Sequence, residues 1–144
     1  MSQGQLLHNL FSVIRTQDDI PSAIERLRFE GIIESAEQER QIKKLTEWAL
    51  NHPLVKEWYS GNWELYNECA IIYKEKGELQ TRRPDRVMMK DGKVVVVVDF
   101  KFGKKRTDYN KQVRDYMNLL SDMGYENIRG YLWYVFDNEF VEVK

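Results

Sequence analysis

Residues 94–98 are five consecutive valines, and this run constrains the fold more than any other stretch of the chain. β-Branched side chains favour extended backbone. An unbroken apolar run of this length, as opposed to alternation, is what a strand covered on both faces needs. The run leads directly into Asp99-Phe100-Lys101. Side chains alternate along a strand, so Asp99 and Lys101 share a face while Phe100 points the other way. Ionised groups at the end of a buried strand are costly unless paired, hydrogen-bonded or bound to metal. The mouth of this strand is therefore the first place to look for chemistry.

The segments around it read as helices followed by strands. Residues 5–15 place Leu7, Leu10, Phe11 and Ile14 on one helical face. Asp18 or Asp19 with Pro21 starts a second helix, which Gly31 ends. Ser35 with Gln38 forms a capping box for a third, running to about Leu50, where Asn51-His52-Pro53 breaks it. A short helix covers 54–59, and His52 reads as a loop residue. Strand composition then marks Trp63–Tyr73, Arg82–Met89, Val94–Phe102, Tyr131–Phe136 and, after an Asp137-Asn138 turn, Glu139–Val143. Thr107–Met123 is helical, with Tyr109, Gln112, Val113, Tyr116, Leu120 and Met123 on one side. The expectation is an α/β domain with a mixed sheet: three antiparallel strands, a crossover helix, then a further strand. Residues 1–60 form its mainly helical part and 61–144 its α/β core.

A chain of 144 residues is one domain of ordinary size, long enough to bury a core. A single cysteine, Cys69, excludes an internal disulfide framework and any all-cysteine metal site. No apolar run is long enough to span a membrane, and no basic-then-apolar leader opens the chain, so a cytoplasmic protein with no membrane partner is expected. The net charge of −1 advertises no polyanionic partner. Its distribution says more: Lys101, Lys104, Lys105, Arg106, Lys111 and Arg114 face only Asp108 in the same stretch. A solvated face is the ordinary explanation of such a cluster. This one begins at Asp99-Phe100-Lys101.

A second aspartate, Asp85, lies in the preceding strand, and Asp91-Gly92 marks a hairpin that brings the two strands together. Clustered carboxylates repel unless one is protonated or a cation lies between them. Mg²⁺ is held by one or two carboxylates plus water and phosphate oxygens. A lysine beside such a site can hold the attacking water or stabilise charge on a phosphate. A solvent-facing Asp–Lys pair at a fraying strand end is the plain alternative. The register discriminates. A two-residue turn at Asp91-Gly92 would set Pro84 opposite Asp99 and send the two carboxylates to opposite faces. A shared metal site therefore requires an odd-length loop or a bulge: a three-residue loop, Lys90-Asp91-Gly92, with Gly92 left-handed, is expected, setting Met89 opposite Lys93 and Arg83 opposite Asp99 and returning Asp85 to the face of Asp99.

Pro84-Asp85, followed fourteen residues later by Asp99-Phe100-Lys101, resembles the Pro-Asp…(Asp/Glu)-x-Lys nuclease superfamily. "GQLLHNLF" resembles the Gly-x-x-x-His helix of the nuclease domains that end RecB- and AddA-type, UvrD-like helicase–nucleases, with His8 as the matching histidine. "YNKQVRDY" resembles the Gln-x-x-x-Tyr helix that follows the catalytic strand in those domains, matching Gln112 and Tyr116, and "GYLWYVF" resembles the next strand. The resemblance implies a restriction-endonuclease-like fold and a metal-dependent deoxyribonuclease, the exonuclease module of an ATP-dependent helicase–nuclease in DNA repair and recombination. It implies His8, Asp85, Asp99 and the Phe100 carbonyl as ligands of Mg²⁺ or Mn²⁺. It makes Lys101 the catalytic lysine and gives Gln112 and Tyr116 supporting or DNA-contacting roles. Glu68, in "LYNECAII", resembles an acid of the family's first strand, with a structural hydrogen bond as the alternative role. Lys104, Lys105 and Arg106 would track a DNA backbone, single-stranded or at ends. Arg83 and Arg86 flank Asp85 and can bind phosphate or pair with the acids. The implied partners are DNA, a helicase region of the same polypeptide and a second helicase–nuclease subunit. No GxxxxGK[ST] motor loop occurs, and the four-cysteine iron–sulfur relatives are excluded. A free-standing endonuclease and a catalytically silent DNA-binding module are the rival expectations.

Overall fold

Ser2 opens helix α1 (Gln3–Val13) with a reciprocal cap: its hydroxyl accepts from the Gln5 N–H, and the Gln5 side chain accepts from the Ser2 N–H. Leu6, Leu7, Leu10 and Phe11 form its buried stripe. A 3-10 turn (Gln17–Asp19) leads to α2 (Ile20–Phe29), which ends at left-handed Gly31. Helix α3 (Ala36–Leu50) starts at Ser35, whose hydroxyl accepts from Gln38 N–H; the Gln38 side chain reaches back one residue further than a capping box would, to the Glu34 N–H. His52 is more than a loop residue. Its Nδ1 accepts from Leu54 N–H at 3.2 Å and caps α4 (Pro53–Trp58). The Tyr59 hydroxyl donates to the Phe11 carbonyl at 2.7 Å and ties the end of this helical unit to its beginning. This is a computed structural model. It describes residues 2–66 and 70–144 and divides into two units, 1–63 and 64–144.

The second unit is α/β with a mixed five-stranded sheet in the order β1-β4-β5-β6-β7. β1 (Glu64–Leu65) and β4 (Arg86–Lys90) pair antiparallel, as do β4 and β5 (Val94–Lys101). Helix α5 (Thr107–Asp122) then crosses over, and β6 (Asn127–Tyr134) returns parallel to β5, with β7 (Glu139–Val143) antiparallel at the edge. A separate hairpin of β2 (Ile71–Glu75) and β3 (Glu78–Arg82) turns at Lys76-Gly77, both left-handed. This hairpin departs from the single strand expected over 63–73, with none expected at Glu78–Arg82. The next strand, expected from Arg82, starts only at Arg86, beyond Pro84, which has no N–H to give a ladder.

Both faces of β5 are buried: Val95, Val97, Val98, Val96 and Phe100 are all nearly inaccessible. On one face Val95 and Val97 join Val87 and Met89 from β4 and Tyr116 and Leu120 from α5. Beside them Val113 packs on Leu132, Tyr134 and Val143. Gly130 lets α5 approach this closely, since a Cβ there would stand 2.6 Å from Val113 Cγ1. Among the described residues no helix is long and apolar enough to cross a membrane.

Candidate functional site

The hairpin between β4 and β5 sets the site. Lys90 pairs with Val94, which leaves three residues, Asp91-Gly92-Lys93, outside the ladder. Asp91 (φ 58°) and Gly92 (φ 65°) are both left-handed, and Lys93 N–H donates to the Lys90 carbonyl at 3.1 Å. Aspartate is among the few non-glycine residues that tolerate this conformation. The loop has the expected odd length and positive-φ glycine, but it sits one residue later than expected. Lys93, not Lys90, is the extra residue. The register is Arg86 to Val98 rather than one placing Arg83 opposite Asp99, and one rung further on it sets Asp85 directly opposite Asp99.

At that rung the carboxylates take over from the backbone ladder. Asp85 N–H donates to Asp99 Oδ1 at 3.3 Å, and Phe100 N–H donates to Asp85 Oδ2 at 2.8 Å. Each carboxylate thus fixes the other's strand. Opposed residues project to the same side, so both acids share the α5 face with Val87 and Val97. Asp99 is only 3% exposed, while Asp85 is half-buried. Across from them, burial first and then the charges of Asp99 and Asp85 hold the Tyr116 phenol well above the ordinary tyrosine range, with Arg82 pulling the other way. Tyr116 therefore keeps its proton where an ordinary tyrosine would begin to lose it. It is also a core residue, packed with Leu120 and Val97.

Lys101 lies two residues beyond Asp99 on the same face. Its ammonium donates to Gln112 Oε1 at 3.1 Å and sits 4.2 Å from the centre of the Tyr109 ring. Asp85, Asp99, Lys101, Gln112 and Tyr116 are thus all placed on the facing surfaces of β4, β5 and α5. The sequence marks Tyr109 only as a residue of one helix face; its spacing, three residues before Gln112 on that helix, is the signal that both attend the same group.

The other expected residues fall elsewhere. Arg86 is 1% exposed, and its Nε lies 3.3 Å from Met88 Sδ on the opposite face of β4 from Asp85. Alternation turns it away from Asp85 and Asp99, and at 1% exposure it offers no surface to a phosphate in this structure. Phe100 meets Asp85 through its N–H, and its ring packs edge-on against Trp133 at 5.5 Å. His8 is half-buried on α1 in the first unit, its carbonyl accepting from Ser12 Oγ at 2.7 Å. Glu68 and Cys69 lie outside the described residues. In the basic run, Lys105 pairs with Glu139, Arg106 with Asp108 at 3.3 Å and Lys111 with Asp115 at 3.4 Å. The fold brings Glu139 to a stretch whose own sequence holds so few acids. Lys104 is exposed and makes no ion pair among the described residues.

Chemically, two carboxylates in one rung can hold a hard divalent cation together with water and a phosphate oxygen. Among the described residues no group of three or more histidine, cysteine, aspartate or glutamate side chains converges on one metal position. What the fold assembles is a carboxylate pair with an amide-bound lysine next to it. No protein-family model matches the chain, and no curated protein matches it. The family likeness therefore rests on the quoted motifs.

Proposed function

We propose that this chain is a metal-dependent deoxyribonuclease domain of restriction-endonuclease-like topology that hydrolyses DNA phosphodiester bonds. The observation that carries the reading is the rung Asp85–Asp99, with Lys101 on the same face held by Gln112. The residues fit a divalent cation because two acids are adjacent, while the ammonium of Lys101 goes to an amide oxygen. Asp85 and Asp99 would hold Mg²⁺ or Mn²⁺; His8 and the Phe100 carbonyl enter as ligands through the sequence likeness alone. A bound ion of this kind supplies hydroxide near neutral pH and stabilises charge on the phosphoryl oxygens.

The protein's own groups do the rest. Lys101 presents a proton-bearing cation to the attacking water or to a non-bridging phosphate oxygen. Gln112 fixes its direction. Tyr116, kept neutral, can donate a hydrogen bond where an ionised phenol would repel both acids and substrate. Lys104, Lys105 and Arg106 neutralise backbone phosphates without reading bases. The exposed pairs of Lys105 and Arg106 are worth so little that a phosphate can replace the carboxylate partner.

The test is incubation of the protein with end-labelled single-stranded DNA and Mg²⁺ or Mn²⁺, with EDTA as control. Metal-dependent shortening is expected. Intact DNA at high protein concentration, in every metal, would leave the silent binding module as the better reading.

A further inference from the structure

Among the described residues the partners of Lys101 are both uncharged, although Asp99 lies two residues before it on the same strand face. Gln112 Oε1 accepts from its ammonium at 3.1 Å, and the Tyr109 ring centre lies 4.2 Å away. Tyr109 and Gln112 are three residues apart in the first half of α5, so they stand on one helix face. Asp99 precedes Lys101 by two residues on the same strand face, at roughly 7 Å along the backbone, a distance that the four-carbon lysine stem can fold back across. An ion pair with Asp99 is the obvious alternative for this ammonium, and the fold does not use it.

We infer that Tyr109 is a positioning residue for Lys101: its ring face, with the Gln112 amide, holds the ammonium beside the carboxylate pair without neutralising it. The negative face of an aromatic ring attracts a cation electrostatically yet cannot accept its proton or cancel its charge. The consequence is that Lys101 does not compete for the oxygens of Asp99. Arg106 also approaches this ring, at 5.7 Å, but it is farther off and already paired with Asp108. The consequence for metal binding rests on the nuclease reading; the placement of Lys101 by the ring does not.

Two measurements separate these layers. Proton NMR of the Lys101 ε-methylene reports the ring directly, because protons over an aromatic face are shifted upfield. That shift is expected in the parent protein and in Tyr109→Phe, and it should vanish in Tyr109→Leu. Mn²⁺ titration calorimetry reports the consequence. Tyr109→Leu releases Lys101 toward Asp99 and should weaken Mn²⁺ binding about 2- to 30-fold, the range that cation–ring contacts span from exposed to desolvated sites, since both side chains are half-buried. Tyr109→Phe, which keeps the ring, should restore the affinity. In a Lys101→Met background the Tyr109→Leu change should cost nothing, since no ammonium remains to compete. A purely structural role for Tyr109 predicts the same loss with or without Lys101, and that result would overturn the inference. So would a Tyr109→Leu protein with unchanged Mn²⁺ affinity, or a parent protein without the upfield shift. A parent that shows the shift but binds no Mn²⁺ would remove the nuclease reading and leave the positioning of Lys101 standing.

Discussion

The surface of β5 beneath α5 has two halves. At its start, Val95 and Val97 are sealed among Val87, Met89, Tyr116 and Leu120. At its end, Asp99 and Lys101 meet Asp85, Gln112 and Tyr109 through hydrogen bonds and a ring contact. The same strand and helix make both halves, one residue type giving way to the other within a few positions. The apolar half clamps α5 to the sheet, and the polar half inherits its distances from that clamp. Tyr116 belongs to both, a core ring whose phenol feels the charges of Asp99 and Asp85. The difference teaches that stability and the proposed chemistry are separable by substitution, even though they share a surface.

The largest expected effects come from the polar half. Asp99→Asn keeps the shape and the oxygen that accepts the Asp85 N–H but removes the charge. On the proposed reading it abolishes Mn²⁺ binding and DNA cleavage while circular dichroism shows an intact fold. Lys101→Ala should abolish cleavage and keep Mn²⁺ binding, because an ammonium is not a ligand; a fully active Lys101→Ala protein would end the assignment. A change in the apolar half should do the reverse. Val97→Ala removes buried methyls and is expected to cost about 1.5–3 kcal/mol in a urea melt, with cleavage per folded molecule retained. Loss of activity without loss of stability at Val97 would break the division between the halves.

Tyr116 gives a smaller, pH-dependent signature. Its raised folded pKa means that the unfolded chain gives up this proton first, near the ordinary value of about 10. The stabilisation is whole below that pH and is lost as pH climbs through the folded value. Melts of the parent should therefore fall more steeply above pH ~10 than those of Tyr116→Phe. The smallest effect is on the basic run. Replacing Lys104, Lys105 and Arg106 with alanine should lower the log–log salt slope of single-stranded DNA binding by about 2, at ~0.7 per phosphate contact. An unchanged slope would return these residues to a solvated face held by Glu139 and Asp108.

Much of the second unit was legible because its signals are local. Five valines announce a strand buried on both faces, the period from Tyr109 to Leu120 announces α5, and Asp91-Gly92 announces the turn. The shared face of Asp85 and Asp99 was expected from the chemistry, which requires an odd-length loop, and the loop proved to be shifted by one residue. The β2–β3 hairpin was hidden because Glu78, Gln80 and the flanking lysines and glutamates lack strand preference, and its turn uses Lys76, which seldom adopts a left-handed conformation. The burial of Arg86 was not legible because composition shows a basic residue next to Asp85, while alternation sends it to the opposite, buried face. The partner Glu139 of Lys105 is remote in sequence, so no window along the chain could pair them. Tyr109 was visible as a face residue, but what it faces depends on where Lys101 ends, which only the packing of α5 on β5 decides.

The central claim is that Asp85 and Asp99 act as one site for a divalent cation. Anomalous diffraction from crystals soaked in Mn²⁺ tests it most directly. The account predicts a single strong peak bonded at ~2 Å to a carboxylate oxygen from each aspartate, with Lys101 still on Gln112 and the Tyr109 ring. A peak that touches neither aspartate, or Lys101 swung over to occupy the space between them, would contradict it.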